Sequence, residues 1–321
     1  VRAHGGSRGR PTMGQPAASA STELYGTNNI NCTRRVAPPM RAVLATDLSD
    51  AIESAISSRV CLECLGRYGI TDIDLVTVTS PNVTTGMPGS DVGKQTKRAL
   101  ERQADLLEAE DFDVTTHVMR GAPFRRINGL ADRVHADLII VGSRGKSPLR
   151  ERLIGGTTRD MARTTTRPLL VQRIVETEDE LEVANEHLFQ RVLYATDFSE
   201  NADRAFEQFA HLKHATQEAR IVHVAPPERR AETDEVDDAQ ARLDELATEL
   251  GSKGIDVTTE VRYGDAAEQI LAAEEEFDPT TILLGSRGRG RIRRLLLGST
   301  SEAVTARSDS NVLLVPPGST R

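Results

Sequence analysis

The chemistry-bearing residues of this 321-residue chain gather in two glycine-rich segments. The first is Gly142-Ser143-Arg144-Gly145, nine residues, then Gly155-Gly156-Thr157; the second is Gly285-Ser286-Arg287-Gly288, nine residues, then Gly298-Ser299-Thr300. Each follows a short apolar, β-rich run, Leu138–Val141 or Thr281–Leu284, and the second leads into a helical pattern at 302–306. A glycine-rich turn between a strand and a helix leaves backbone N–H groups aimed outward, where they hold an anion. The later glycine starts the next helix, whose N–H groups and dipole add to the first nest. Ser299 and Thr300 supply hydroxyl donors, and bases crowd both segments: Arg287, Arg289, Arg291, Arg293 and Arg294 in one, Arg144, Lys146, Arg150 and Arg152 in the other. The competing reading of those bases is a solvated basic turn. Two copies of one spacing in one context point to a duplicated phosphate-binding domain.

Asp47 and Asp197 end the first strand of each half in the same string, Ala-Thr-Asp-x-Ser, from Ala45 and Ala195. Beyond the carboxyl end of a central strand, such a carboxylate can accept a hydrogen bond from an adenine amino group. It can equally cap the helix that follows, as can Ser49 and Ser199. Both roles stay open. Other motifs fail on spacing. Gly145-Lys146-Ser147 lacks the earlier glycine of a P-loop, since Ile140 stands there, and no GxGxxG follows the first strand. Cys61 and Cys64 have CxxC spacing inside a helical pattern without a second pair, which predicts two small core residues; His211 and His214 read as surface histidines.

The elements that position these residues alternate. Strands are predicted at 40–46, 73–78, 114–119, 138–141 and 168–171, and helices at 50–66, 91–110, 123–135 and 156–164, with Ile52, Ala55, Ile56, Leu62 and Leu65 facing inward on the first helix. Such alternation gives parallel strands with helices on both faces. The pattern then restarts. Offsets between equivalent residues are 150 at Asp47 and Asp197, 146 at Val78 and Val224, and 143 at Gly142 and Gly285. A period this long marks duplicated domains. The predicted organisation is a disordered extension over 1–39, a domain over 40–173, an acidic linker over 174–189 and a second domain over 190–317. Met40 stands directly before the first strand and is the expected physiological start.

Hydrophobic residues make up 38% of the chain and charged ones 27%, the composition of a globular protein. The net charge of −8 argues against a non-specific nucleic-acid binder, and no specific nucleic-acid partner is expected. No apolar run approaches a membrane span, and no signal-peptide core opens the sequence, so a cytoplasmic location is expected.

These residues together resemble the universal stress protein family of the ATP-binding type, whose motif is G-x-x-G, nine residues, then G-S/T. The resemblance covers both halves. It implies two Rossmann-like α/β domains of the adenine nucleotide alpha hydrolase-like kind, each a five-stranded parallel sheet in the order 3-2-1-4-5 with helices on both faces. It also implies packing of the repeats about a pseudo-two-fold, as an intramolecular pseudo-dimer, with a homodimer as a further possibility. The implied ligand is ATP, or AMP or ADP, with Mg2+ as the accompanying ion. In repeat 2, Asp197 and Val224 would take the base, Gly285 the ribose, and Gly288, Gly298, Ser299 and Thr300 the phosphates, with Ala195 and Arg287 beside them. In repeat 1, Ala45, Asp47, Val78, Gly142, Gly145 and Gly155 match, but Gly156 replaces the hydroxyl residue and Thr157 follows as its substitute.

The resemblance implies a stress-response nucleotide sensor or a module that docks an unknown protein partner. No nucleophile–base pair or metal-binding carboxylate pair lies near the loops, so fast ATP hydrolysis is unsupported. Two alternatives remain: a slow ATPase or phosphoryl- or adenylyl-transfer enzyme on this scaffold, and a protein-contact scaffold with vestigial sites.

Overall fold

A computed structural model describes residues 39–49, 52–53, 56, 59–79, 92–143, 154–176, 181–183, 187–226, 233–288 and 297–318. The disorder expected for 1–39 therefore lies outside the described residues apart from Pro39. In repeat 1 the order is β1 Met40–Ala45, α1 Arg59–Tyr68, β2 Ile70–Thr79, α2 Val92–Glu108, β3 Asp113–Arg120, α3 Pro123–Val134, β4 Leu138–Gly142, α4 Gly156–Thr164 and β5 Leu169–Gln172. Two short strands, β6 Ile174–Glu176 and β7 Leu181–Val183, pair antiparallel within the acidic connection. Repeat 2 runs β8 Arg191–Thr196, α5 Glu200–Phe206, α6 Phe209–Leu212, β9 Glu218–Ala225, α7 Thr233–Gly251, β10 Asp256–Tyr263, α8 Ala266–Phe277, β11 Thr281–Gly285, α9 Ser299–Arg307 and β12 Asn311–Val315.

Ten strands form one sheet in the order β10-β9-β8-β11-β12-β5-β4-β1-β2-β3. Each repeat contributes the predicted 3-2-1-4-5 order of parallel strands. Strand register reproduces the offsets read from the sequence. Leu44 lies opposite Leu75 and Tyr194 opposite Ile221, shifts of 150 and 146; Ala45 lies opposite Val141 and Ala195 opposite Leu284, shifts of 150 and 143. The deletions in repeat 2 are thus taken up in connections, and the strand pairing is left intact.

The repeats join where β12 pairs antiparallel with β5, the one antiparallel contact in this sheet. Leu313 faces Leu170, its own equivalent at an offset of 143, so the seam is self-complementary in the manner of a two-fold interface. The seam strands are apolar on both faces because helices cover both. Leu170 and Leu313 belong to one core, which also holds Tyr68, Phe189, Tyr194 and Phe209. Their neighbours Leu169, Val171, Val312 and Leu314 belong to the other, with Ile127, Met161, Ile270 and Val304. Both cores run through both repeats.

Ile52, Ile56, Leu62 and Leu65 are buried as expected, while Ala55 lies outside the described residues. Cys61 and Cys64 are buried thiols outside any disulfide, two small core residues. His211 departs from expectation. It packs against Tyr68 with ring centroids 5.4 Å apart, and burial lowers its pKa; His214 is exposed. The start of α3 and of α8 needs glycine for a conformational reason: Gly121 and Gly264 have φ of 135° and 138°. No helix among the described residues is long and apolar enough to cross a membrane.

Tyr68 links the repeats across the first core. It stacks on Phe189 at 5.5 Å, and its hydroxyl donates to Gln208 Oε1 at 2.6 Å. Tyr68→Phe should lower stability by about 1 kcal/mol through the lost hydrogen bond, and Tyr68→Ala by about 3–5 kcal/mol through the cavity left behind. Urea unfolding followed by circular dichroism measures both.

Candidate functional site

The order 3-2-1-4-5 makes the chain leave the sheet in opposite directions after strands 1 and 4, which opens a crevice beyond their carboxyl ends. In repeat 2 that crevice lies between β8 and β11. A cavity of about 480 Å³ fills it. Ala195, Asp197, Val224, Gly285, Arg287, Gly288, Gly298, Ser299 and Thr300, all expected from the sequence, line this one cavity. The rest of its lining is largely apolar, from Val222 on β9, Ala266 and Ile270 on α8, Leu284 on β11 and Leu297 before α9.

The turn after β8 is built from its own side chains. Thr196 Oγ1 accepts from Phe198 N at 2.9 Å, and Asp197 Oδ1 accepts from Ser199 N at 3.1 Å. Repeat 1 repeats both bonds, Thr46 with Leu48 N at 2.9 Å and Asp47 with Ser49 N at 3.0 Å. Phe198 and Leu48 both adopt the left-handed conformation, φ 55° and 59°. That costs a non-glycine residue about 1 kcal/mol or more and persists because the two bonds over-determine the turn. The capping question resolves for repeat 2. Ser199 caps α5, accepting from Ala202 N at 3.3 Å, while Asp197 holds the turn and faces the cavity.

The glycine loop is fastened at both ends. Ser286 N donates to Val315 O at 2.8 Å, Gly298 N to Ser286 O at 2.7 Å, and Ser301 Oγ to Gly285 O at 2.8 Å. Repeat 1 has the same three closures: Ser143 N to Gln172 O at 2.8 Å, Gly155 N to Ser143 O at 2.9 Å and Thr158 Oγ1 to Gly142 O at 2.8 Å. Ser301 and Thr158 therefore belong to the loop architecture. Their repetition at one offset was the sequence signal for them.

The N–H of Gly298 is already donated, so it does not point at the cavity. The donors that do are those of the first turn of α9, from Ser299 to Ser301, because this helix has no side-chain cap. Helices α5 and α8, elsewhere in the repeat, are capped by Ser199 and Asp265. Gly298 has φ −78° and Gly155 φ −59°, so neither turn needs positive φ. Arg287 also lines the cavity, and its Nε is buried without an acceptor among the described residues.

In repeat 1, Ala45 ends β1, Asp47 holds the turn, Val78 lies on β2, Gly142 ends β4, Gly155 precedes α4, and Gly156 and Thr157 are its exposed first residues. Helix α4 also lacks a side-chain cap. Gly145 and Arg144 lie outside the described residues, as do the bases from Arg289 to Arg294 in repeat 2.

The three glycines of repeat 2 are glycines for different reasons. A Cβ on Gly285 would lie 2.9 Å from Asn201 O, and one on Gly288 would lie 2.6 Å from Asp197 Oδ2. A Cβ on Gly298 would meet nothing nearer than Ser286 O at 3.5 Å, an ordinary contact. Gly285→Ala should therefore destabilise the protein by about 1–3 kcal/mol, by forcing α5 off the sheet. Gly298→Ala should change stability by less than about 0.5 kcal/mol. Thermal unfolding of the two variants without ligand separates them.

Residues 40–173 and 188–316 each match the universal stress protein family. A universal stress protein of Methanocaldococcus jannaschii is 24% identical over 154 residues, covering 40% of this chain and 95% of that protein. Universal stress protein YxiE of Bacillus subtilis is 28% identical over 147 residues, covering 40% of this chain and 99% of its own length. Among solved structures, a universal stress protein from Archaeoglobus fulgidus aligns with a TM-score of 0.66 at 27% identity, over 88% of this chain and 97% of that one. A functionally unknown protein from Pseudomonas aeruginosa shares the fold at a TM-score of 0.61 and 16% identity, over 88% of this chain and 94% of its own. Matched twice along its length, this chain belongs to the universal stress protein family, of which it carries two tandem copies.

Proposed function

We propose that repeat 2 binds an adenine nucleotide in the cavity between β8 and β11, and that occupancy governs a stress-response output through shape or partner docking. The observation that carries this reading is the uncapped first turn of α9 along one side of the cavity. That turn has no side-chain cap, and Arg287, Gly288, Ser299 and Thr300 line the cavity beside it. An anion there would accept from several donors at once, and the α9 dipole would favour its charge.

The opposite side suits a flat apolar ring. Val222, Val224, Ile270 and Leu284 supply the surface, and Asp197 supplies a carboxylate at its margin. In this reading Asp197 and Val224 take the base and Gly285 lies by the ribose. Gly288, Ser299, Thr300 and Arg287 hold phosphates, and Gly298 lets them approach by having no side chain. ATP, ADP and AMP share the base and differ in how far their phosphates extend along α9. A Mg2+ ion would come with the phosphates, since no group of three His, Cys, Asp or Glu among the described residues could hold a metal. We take 40–173 and 190–317 as the two domains joined by 174–189.

Repeat 1 offers the weaker site. Gly156 stands where repeat 2 has Ser299, which removes one hydroxyl donor. A missing charge-assisted hydrogen bond corresponds to roughly a ten- to hundred-fold difference in affinity. Calorimetric titration of the full chain with ATP should show one strong site and one weak or silent one. GTP, which presents an acceptor where adenine presents its amino group, should bind poorly. Asp197→Ala should weaken ATP at the strong site by about 1–3 kcal/mol. Two equal sites, or equal affinity for ATP and GTP, would contradict the assignment.

A further inference from the structure

Helix α5 touches the glycine loop at a point where the two repeats differ. Asn201, 7% exposed, uses both ends of its amide. Its Oδ1 accepts from Arg287 N at 2.8 Å, and its Nδ2 donates to Val315 O at 2.9 Å. The turn that carries it is held from two further sides. Ser199 Oγ accepts from Ala202 N at 3.3 Å, and the Tyr194 hydroxyl donates to Ala202 O at 2.7 Å. Burial pushes the Tyr194 phenol up, so it stays protonated as a donor.

The peptide unit between Ser286 and Arg287 is the object being held. A trans peptide points its N–H and C=O in opposite directions. With Arg287 N–H fixed on Asn201, Ser286 O is aimed at the other side, where it accepts Gly298 N at 2.7 Å. One rigid plane thus connects the first turn of α5 to the residue that begins α9. Rotation of that plane would move Arg287, Gly288 and the start of α9 together.

Repeat 1 keeps the main-chain closures of its loop among the described residues, but its sequence has no side chain able to make this clamp at the corresponding position. At the offset of 150, Tyr194, Asn201 and Ala202 correspond to Leu44, Ala51 and Ile52, whose side chains form no hydrogen bonds. The glycine spacing is common to both repeats, so spacing alone does not distinguish them.

We propose that Asn201 is a positioning residue that sets how repeat 2 presents its phosphate-binding groups, and that its absence from repeat 1 is a second source of the difference between the sites. This rests on the nucleotide reading above. Asn201 does not itself line the cavity and holds the loop that carries Arg287 and Gly288, so its effect falls on phosphates and spares the base.

The test uses the full chain and two readouts, amide hydrogen exchange at Arg287 without nucleotide, and calorimetric affinity for ATP and for adenosine. Asn201→Ala should speed exchange of the Arg287 amide by about tenfold or more while the β11 amides stay protected. ATP affinity should fall about tenfold and adenosine affinity should stay within about twofold. A residue that served stability alone would weaken both ligands alike. Unchanged exchange at Arg287, or equal losses for ATP and adenosine, would overturn the proposal. Should Asn201→Ala not fold, Asn201→Asp decides by exchange, since it keeps the acceptor and loses the donor: Arg287 stays protected, and its exposure in this variant would overturn the proposal. Wild-type protein that binds neither ATP nor adenosine contradicts the nucleotide reading itself, while exchange at Arg287 still decides whether the clamp exists.

Discussion

The antiparallel pairing of β5 with β12 is the constraint on which the rest of the molecule depends. It turns two five-stranded sheets into one and lets two apolar cores run uninterrupted through both repeats. It also fixes where the sites lie. Strands within each repeat are parallel, so reversing direction at the seam sends the carboxyl ends of the two sets to opposite ends of the sheet. The carboxyl ends of β4 and β11 therefore lie at opposite ends of the sheet even though helices α4 and α9 meet near the seam, where Arg163 pairs with Glu302. That ion pair has no symmetric counterpart: the equivalent positions are Ala306 and Arg159. The approximate two-fold is a property of the backbone, and the side chains have diverged around it.

Glycine at the repeat 2 loop follows from packing before it follows from any ligand. Helix α5 lies so close to the end of β11 that Gly285 has no room for a side chain, and the Asp197 carboxylate occupies the space beside Gly288. Only Gly298 is bare without a neighbour that demands it. A motif read as one functional unit thus divides into two glycines that let the fold close and one that keeps a surface open. The open surface is the one that faces the uncapped turn of α9.

Most of the fold was legible in the sequence because its signals are local and repeated. Runs such as Leu138–Val141 and Thr281–Leu284 mark buried strands, and duplication at offsets of 150, 146 and 143 predicts which strand pairs recur. The cavity lining of repeat 2 was legible where the two repeats agree, as at Asp197 with its equivalent Asp47 or Gly285 with its equivalent Gly142. What escaped was carried by single residues with no counterpart. Asn201 sits in a helical stretch as one polar residue among several, and its role depends on β12, 114 residues away. Tyr68 and His211 meet across the repeats, a contact that no periodicity encodes. Gly298 takes the extended backbone of a helix N-cap, and its amide serves the loop, which the glycine spacing alone does not show.

The most direct measurement is amide chemical-shift mapping of the isotopically labelled full chain as ATP is added. Nucleotide seated in the repeat 2 cavity shifts the amides of Gly288 and of Ser299, Thr300 and Ser301 first and most, with Val224 and Asp197 next, and repeat 1 responds only at higher concentration. Shifts confined to the β3 or β10 edge, shifts of equal size at Gly155–Thr158 and Gly298–Ser301 at one concentration, or no shifts at all would contradict it.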